Sequence, residues 1–559
     1  MNLRVKSVEA SIADADDAER SLKRTLGTWD LALMGIAVAV GAGIFSVGAQ
    51  AAANFAGPSV ILSFVLAALT CGLAIMCYAE FASTVPVAGS AYTFTYATMG
   101  ELLAWIIGWD LILELFTAAA VLAKYWGVYL SEALNAVGVE LAATIDVGGI
   151  AVSWPAFLIV AVFTVLLVLG TKLTARVGAV FTIIKVLIVV FVIVVGFFFV
   201  DAANFTPFIP PAEPTTGGDA DVWTQSLFAW FSGAEPAKYG VFGMLAAASL
   251  VFFAFIGFDV VATSAEEVRE PQKRLPRGIF LGLGVVTLLY VLVSIVMTGM
   301  VPYTELAEEE SPSLATAFRL LDQPWAAGVI SFGALAGLTT VIMVILLGLS
   351  RIVFALSRDG LLPRWLSKTN SKHKTPARVQ IIAGTVVALV AAFSEIGLLE
   401  EMINIGTLSA FVLVSIGVVI LRRTRPDLPR GFRVPWSPVL PILSAALCVW
   451  LMLNLTTLTW VRFVVWLAIG LVIYYAYGHR HSRLAAEGPT DVGLPSPQGV
   501  GRDDVEELDD LEHGRGGAGA RPHGRHAAAP SPEDATASPP DASAAPEAPR
   551  EPLNGRAHA

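Results

Sequence analysis

The sequence predicts an all-α membrane protein that crosses the bilayer with twelve helices. Of its 559 residues, 55% are hydrophobic and only 15% are charged, whereas soluble chains carry about 25% charged residues. The hydrophobic residues are gathered in runs of about 18 residues or more, which is the length that crosses a bilayer as an α-helix. Within these runs apolar and polar residues do not alternate, which excludes a transmembrane β-barrel. The same composition excludes a soluble enzyme, a disordered protein and a nucleic-acid-binding protein.

Twelve runs meet this length criterion, with boundaries accurate to a few residues. They cover residues 29–49, 58–79, 103–129, 150–170, 179–200, 241–264, 278–300, 327–355, 379–398, 402–421, 438–457 and 460–477. The first ten runs form two successive groups of five, at about 29–200 and 241–421. The last two, at about 438–477, are additional helices.

The distribution of Lys and Arg predicts how these helices are oriented. Basic residues are concentrated before the first run and in the loops after the sixth, eighth and tenth runs, whereas loops 132–146, 201–235 and 305–310 are acidic. Cytoplasmic loops carry the excess of Lys and Arg in membrane proteins. Both termini are therefore expected in the cytoplasm, and the long polar start is not typical of a cleavable signal peptide. These features predict a multi-pass protein of the cell membrane.

Three segments are predicted along the chain: a cytoplasmic N-terminal segment 1–27, a membrane domain 28–480 and a cytoplasmic tail 481–559. The tail is rich in Pro, Ala, Gly and acidic residues, so we expect it to be disordered, either as a dispensable extension or as a regulatory element. The cysteines lie in apolar runs and are expected to be free thiols: Cys71, Cys77 and Cys448. All seven His residues lie in polar loops or the tail, which argues against a His-based metal site in the membrane. Neither a cofactor nor an obligate protein partner is expected.

Two of the predicted helices contain residues that favour a break near their middle. The first run contains Gly41 and Gly43, and the sixth contains Gly257 followed by Asp259. Glycines in membrane helices also serve close packing, which is the alternative interpretation. However, the two interruptions occupy the same place in the two groups of five helices, which is typical of an inverted-repeat transporter with a binding site at the midplane.

Ionisable residues inside the apolar runs are further candidates for function, because each costs several kcal/mol to place in a bilayer. Asp110 and Glu114 share one face of the third run, and Lys124 lies further along it. Lys185 lies in the fifth run with almost no polar neighbour in sequence. It is interpreted either as a side chain that snorkels to the cytoplasmic interface or as a buried ammonium that is paired with a carboxylate or with the carbonyls of a broken helix. Lys124 is interpreted as a structural or interfacial group.

Several short motifs identify a family resemblance that runs from about residue 27 to residue 478. They include GAGIF at 41–45, YAEFA at 78–82, PVAGSAYT at 86–93, GWDLILE at 108–114, FFAFIGFD at 252–259, SRDGLLP at 357–363, INIGTL at 403–408 and PRGFRVP at 429–435. With these motifs the chain resembles the amino acid–polyamine–organocation superfamily, and within it the bacterial relatives of the cationic amino acid transporters.

This resemblance implies a leucine-transporter-like fold of two inverted five-helix repeats plus two C-terminal helices. The implied substrate-binding residues are Ala39, Gly41, Ala42, Gly43, Phe253, Ala254, Ile256 and Gly257. The backbone at 41–43 matches the family segment that holds the substrate carboxylate, and Phe253, Ala254 and Ile256 match the segment whose carbonyls hold the α-amino group. Phe253 matches the aromatic lid of that segment. Ala42 departs from the Thr or Ser of many relatives, so the hydroxyl contact is missing.

The resemblance also implies a coupling network of Lys185, Glu114 and Asp259, with the lysine in the place of a sodium ion. The expected function is secondary active transport of amino acids by alternating access, coupled to protons and independent of sodium. An amino acid or polyamine exchanger and a membrane amino acid sensor without transport remain as alternatives, and an enzyme is not expected. Glu114 would suit a cationic substrate, while small neutral amino acids remain open as well.

Overall fold

The computed structural model describes residues 26–84, 90–170, 175–214, 223–233, 237–258, 261, 268–309, 311–370 and 375–482. Nearly all of the predicted N-terminal segment and tail therefore lie outside the described residues. The helices are α1 Thr28–Ala39, α2 Gly48–Ala51, α3 Val60–Thr84, α4 Ser90–Thr98, α5 Glu101–Asn135, α6 Trp154–Val168, α7 Ala175–Gly196, α8 Leu227–Ser232, α9 Gly240–Val251, α10 Pro271–Met300, α11 Tyr303–Leu306, α12 Leu314–Leu320, α13 Pro324–Arg358, α14 Ala377–Phe393, α15 Ile396–Thr424, α16 Val439–Leu453, α17 Thr457–Ile473 and α18 His479–His481.

Other helical turns and a few strands complete the described structure. Three segments have π-helical hydrogen bonding, Gly43–Val47, Ala52–Ala56 and Tyr474–Gly478, and four are 3₁₀ turns, Gly57–Ser59, Phe197–Phe199, Ala202–Phe205 and Phe252–Phe255. Two small antiparallel pairs join β1 (Ile145–Val147) to β2 (Ile150–Val152) and β3 (Glu213–Pro214) to β4 (Ala237–Lys238). All four strands lie in connections between long helices.

The helices account for the apolar runs of the sequence. Seven continuous helical stretches in the described part of the chain are long and apolar enough to cross a membrane, and five further apolar helices are shorter. At least one of these helices lies over each of the runs found in the sequence. The prediction of an all-α, multi-pass membrane protein is confirmed. The predicted free thiols are confirmed as well, since all three cysteines are buried and unbonded to one another.

Helix α15 begins at Ile396, six residues before the apolar run that predicted it. The extra turn contains two consecutive acidic residues, which made the sequence look like a loop. Their carboxylates are satisfied by hydroxyls from other helices: Tyr125 donates to Glu400 at 2.5 Å, and Thr456 donates to Glu401 at 2.5 Å. Hydrogen bonds to a buried carboxylate offset its desolvation, so the helix continues through both residues.

Helix α5 lies at the centre of the bundle and packs against α13, α14, α15 and α17. Its contact with α17 is made by indoles that bond in both directions. Trp109 donates from Nε1 to the carbonyl of Trp466 at 2.9 Å, and Trp466 donates back to the carbonyl of Trp109 at 3.3 Å. The two rings stack with centroids 4.4 Å apart. Aromatic surface and hydrogen bonds together fix the register of these two helices.

A buried carboxylate near the end of α3 ties this helix to α15 and to the loop that follows α15. Arg422 binds Glu80 with two parallel bonds, from Nε at 2.7 Å and from Nη2 at 2.5 Å. Glu80 also accepts the backbone amide of Val434 at 2.7 Å and lies 3.5 Å from Nε of Arg430. Its side chain is only 2% exposed. A two-bond arginine–carboxylate pair of this kind gives geometric specificity as well as energy.

We expect Glu80→Gln to destabilise the folded protein by about 2 kcal/mol, because it leaves the Arg422 and Arg430 guanidinium groups without their counter-charge. The measurement is the thermal midpoint of the purified protein in detergent. Asp427→Asn is the matched control, because it removes a carboxylate that pairs with Arg425 at 3.0 Å on the exposed side of the same loop. Equal midpoints for the two variants would contradict the prediction.

Candidate functional site

The first apolar segment is interrupted at the glycines that the sequence singles out. Helix α1 ends at Ala39, and its cap residue Val40 has ψ of 82°, outside the helical region. The amide of Gly41 bonds back to the Ala39 carbonyl at 2.8 Å, and helical geometry resumes at Ala42–Gly43. The first amides of a helix have no intrahelical acceptor, so the amides that open the second half are free to hold an anionic group.

The sixth apolar segment is interrupted in a complementary way. Helix α9 tightens into the 3₁₀ turn Phe252–Phe255, and Ile256 is then extended with ψ of 140°. Gly257 follows with φ of +112°, a conformation that only glycine adopts readily. The carbonyls at the end of this half-helix therefore lack continuing helical bonds, and they carry the negative end of its dipole.

The two interruptions lie against each other. A Cβ atom placed on Gly43 would lie 2.4 Å from both Cα and Cβ of Ala254, and one placed on Gly257 would lie 2.3 Å from Cγ1 of Val38. At Gly43 the two backbones therefore approach so closely that glycine is required. At Gly257 the close contact is with the side chain of Val38, and the positive φ is what requires glycine there. Phe253 is nearly buried beside this crossing, at 7% exposure. The structure thus brings Ala39, the residues 41–43 and the residues 253–257 into one place.

A tyrosine that the sequence analysis did not select lies between the two breaks. The hydroxyl of Tyr290, in α10, lies 2.6 Å from the carbonyl oxygen of Ala39 and 2.7 Å from that of Ala254. Its ring packs edge-on against Phe64 and Phe255, with centroids 5.6 Å and 5.1 Å away. Tyr290 is therefore fixed by packing and bonds both interrupted segments. In the sequence Tyr290 is one residue of a long apolar run, and nothing there indicates that its hydroxyl contacts both breaks.

Lys185 reaches the same junction from α7. Its ammonium donates to the carbonyl of Ala37 at 2.9 Å, in the last turn of α1, and the residue is 1% exposed. The stem of the side chain lies along Gly337 of α13, where a Cβ atom would be only 3.0 Å from the lysine Cγ. This burial matches the interpretation as an ammonium held by the carbonyls of a broken helix, and it does not match snorkelling to the interface. A cation at a helix C-terminus is favoured by the helix dipole.

The acidic candidates occupy different positions. Asp110 and Glu114 of α5 are buried, and Asp110 accepts a bond from the hydroxyl of Ser409 at 2.7 Å. Asp110 is thus buried between α5 and α15. Asp259 lies outside the described residues. Lys124 donates to the carbonyl of Ala391 at 3.2 Å, in line with its interpretation as a structural group.

Two further tyrosines of α5 extend the polar groups around the first break. Tyr129 donates to the carbonyl of Phe45 at 2.6 Å, in the second half of the interrupted segment. Tyr125, one turn away, donates to Glu400. Neither of these tyrosines nor Glu400 is predicted from the sequence, because the partners are 84 and 275 residues apart and no local pattern connects them.

Taken together, the junction offers amides from one half-helix and carbonyls from another, with a lysine ammonium and a phenol hydroxyl beside them. This arrangement suits a small molecule that carries a carboxylate at one end and an ammonium group next to it. The surrounding side chains of the crossing are apolar, including Ile44, Phe253 and Ile256. They suit a ligand whose remainder is neutral.

Comparison with known proteins agrees with this geometry. Residues 26–475 match the family described as amino acid permease. The chain belongs to the amino acid permease family. It is 45% identical to the branched-chain amino acid permease of Bacillus subtilis (strain 168), over 86% of this chain and 98% of that protein. It is also 39% identical to the methylthioribose transporter of the same organism, over 84% and 96% of the two chains.

A more distant relative is the vacuolar cationic amino acid transporter 4 of Arabidopsis thaliana, which is 34% identical over 76% of this permease and 68% of its own length. The predicted membership of the amino acid–polyamine–organocation superfamily is confirmed by these matches. The permease is a membrane transporter of amino acids and not an enzyme.

Proposed function

We propose that this permease is a secondary active transporter that carries neutral amino acids with apolar side chains across the cell membrane by alternating access. Transport is coupled to protons, does not require sodium, and takes place with both termini in the cytoplasm. The observation that carries the proposal is the junction of two interrupted segments. We assign the amides of residues 42–44 to the substrate carboxylate and the carbonyls near Ala254 to its α-ammonium.

Several features support the substrate class. Ala42 has no hydroxyl, and Phe253 and Ile256 surround the crossing with apolar surface. A relative of 45% identity is named a branched-chain amino acid permease. An apolar pocket of this kind favours leucine, isoleucine or valine over a cationic side chain, which would be left without a counter-charge unless Glu114 turned toward it.

The helix packing supports two five-helix repeats followed by two extra helices. If α1, α3, α5, α6 and α7 are matched in order to α9, α10, α13, α14 and α15, contacts in one set recur in the other. Helix α1 packs on α10 as α9 packs on α3, and α5 packs on α15 as α13 packs on α7. Helix α1 also packs on α7 as α9 packs on α15. Such an exchange of partners is the pattern that a two-fold relation between repeats would produce.

Lys185 supports the proposed independence of sodium. Its ammonium already occupies a position against a carbonyl at the end of α1, where a monovalent cation would otherwise bridge the helices. An apolar environment disfavours the charged form of a lysine, so a buried ammonium can release a proton and take it up again during the transport cycle. We therefore assign the coupling role to Lys185, with Glu114 and Asp259 as carboxylates of the same network.

The test combines binding with transport. Purified permease is screened by thermal shift with the twenty amino acids and with methylthioribose, because a ligand at about one hundred times its Kd stabilises the folded state by about 2.7 kcal/mol. We expect the largest shifts with leucine, isoleucine and valine. The best ligand is then followed as radiolabelled uptake into proteoliposomes, with and without an imposed pH gradient, and with sodium replaced by choline.

The possible outcomes separate the alternatives. Stimulation by an inwardly directed proton gradient without sodium supports the proposal. Flux that occurs only when the vesicles contain amino acid indicates an exchanger, and binding without flux indicates a sensor. A shift with methylthioribose and with none of the amino acids would overturn the proposed substrate, since that sugar has neither a carboxylate nor an ammonium group.

A further inference from the structure

We propose that Tyr290 is a positioning residue that controls recognition of the substrate α-ammonium by moving one hydroxyl proton between two carbonyls. This inference rests on the proposed function, because it assumes that the junction binds an amino acid. Tyr290 lies outside the motifs that carry the family resemblance, and its position is defined by the structure alone.

The Tyr290 hydroxyl has fewer protons than it has acceptors within reach. A phenol hydroxyl has one proton and donates one strong hydrogen bond at a time. The Tyr290 oxygen nevertheless lies within bonding distance of two carbonyl oxygens, at 2.6 Å from Ala39 and 2.7 Å from Ala254. At any moment only one of these carbonyls receives the proton. The other carbonyl oxygen then faces the phenol oxygen with no proton between them. This contact between two oxygen atoms is unfavourable in an apolar environment.

The two carbonyls are not equivalent. The oxygen of Ala39 also accepts the amide of Gly41 at 2.8 Å. Tyr290 is the one side chain among the described residues that donates to the carbonyl of Ala254. Without substrate, the hydroxyl proton is therefore best placed toward Ala254, because Ala39 keeps a donor of its own.

A bound α-ammonium changes this preference. It brings three N–H donors and can satisfy the carbonyl of Ala254 directly. The Tyr290 proton then turns to Ala39, so that both carbonyls are satisfied and the end of α1 is bonded more firmly. The ring does not have to move, since it packs edge-on against Phe64 and Phe255 and the residue is fully buried. Only the hydroxyl rotates.

This device links the ammonium to both interrupted segments. Ala39 ends α1 and Ala254 lies in the turn that interrupts the sixth segment. A ligand without the ammonium group would leave the proton at Ala254, and the bond to α1 would stay weak. Tyr290 therefore contributes to the affinity for amino acids and not to the affinity for analogues that lack the amine.

The test uses Tyr290→Phe, which keeps the ring and removes the hydroxyl. Binding is measured by isothermal titration calorimetry with leucine and with its des-amino analogue, 4-methylpentanoate, which keeps the carboxylate and the side chain but has no donor on the α-carbon. We expect the variant to lose about tenfold in affinity for leucine, the size of one hydrogen bond, with no more than about a twofold change for the des-amino analogue. The ratio of the two Kd values is the readout, because a structural defect would weaken both ligands alike.

Tyr239→Phe is the matched control. Its hydroxyl is buried and donates to the carbonyl of Ala53 at 2.6 Å, in the same interrupted segment, but it bonds only one of the two segments. We expect the control to leave the ratio unchanged. Equal losses for leucine and the des-amino analogue in Tyr290→Phe, or no loss for either, would overturn the inference. If the wild-type protein binds neither ligand, the proposed function fails instead.

A second measurement uses the wild-type protein and does not depend on the folding of a variant. Infrared difference spectra are recorded with ring-labelled tyrosine while leucine or the des-amino analogue is added to saturation. We expect leucine to shift a tyrosine C–OH band, because the proton acquires a new acceptor, and the des-amino analogue to leave this band in place. A spectrum with no tyrosine difference on leucine binding would contradict the proposed movement.

Discussion

Replacement of Gly43 by alanine is expected to abolish uptake while the protein still inserts and folds. The new Cβ would lie 2.4 Å from both Cα and Cβ of Ala254, so it meets backbone and not the end of a flexible side chain. The two interrupted segments must then move apart. Overpacking of this kind costs about 1–3 kcal/mol of stability. A displacement of about 1 Å at a site that depends on precise positioning costs about 100-fold in rate.

The measurement is uptake into proteoliposomes, together with the thermal midpoint and the elution profile of the purified protein. Gly284→Ala is the control, because Gly284 lies inside α10 with no neighbouring atom within 4 Å of the new Cβ. This control is expected to transport normally. Adding Ala254→Gly to the Gly43→Ala variant does not relieve the contact with Cα, so we expect no recovery. Wild-type uptake by Gly43→Ala would show that the close approach is not needed for transport.

The second large effect is expected from Lys185→Met. Methionine retains the length and most of the apolar contact of the lysine stem along Gly337, so the change mainly removes the ammonium. The carbonyl of Ala37 then loses its bond, and the C-terminal end of α1 loses the cation that faces its dipole. We expect uptake to fall at least about tenfold, since a hydrogen bond to a charged group contributes about 1.5–3 kcal/mol. The remaining uptake should no longer respond to the pH gradient.

Lys124→Met provides the comparison for this variant. Lys124 also donates to a backbone carbonyl, that of Ala391 at 3.2 Å, but this partner lies in α14 and in neither of the interrupted segments. We expect this variant to keep both its uptake and its response to pH. If Lys185→Met behaves like Lys124→Met, Lys185 is a structural group and the coupling role must be assigned elsewhere.

The sequence was sufficient to predict the helical segments and the position of the breaks. A long apolar run forms an α-helix in a bilayer, because its backbone N–H and C=O groups must be hydrogen-bonded within the segment. Gly43 identified the first break because only glycine fits where its backbone meets that of Ala254. Gly257 identified the second because its φ of +112° is a conformation that only glycine adopts readily. Lys185 could be selected because a lone cation in an apolar run costs too much to be retained without a reason.

The partners across the fold could not be predicted in the same way. Tyr290 bonds residues that are 251 and 36 positions away, and Glu80 meets an arginine 342 positions away. Such contacts depend on how helices pack, and neither composition nor periodicity records this. Helix α15 shows the same effect at its start. From the sequence, the consecutive acidic residues Glu400 and Glu401 indicate a loop. In the structure they accept hydrogen bonds from the hydroxyls of Tyr125 and Thr456, and the helix continues through them.

The paired indoles of Trp109 and Trp466 have a consequence for how motion in this permease is observed. Because each tryptophan bonds the backbone of the other's helix, sliding or tilting of α17 relative to α5 would break two bonds and a ring stack at once. The two helices should therefore move together as one rigid body. A fluorophore on the side of α17 that faces away from α5 would then report the movement of α5 without contacting the residues that surround the substrate.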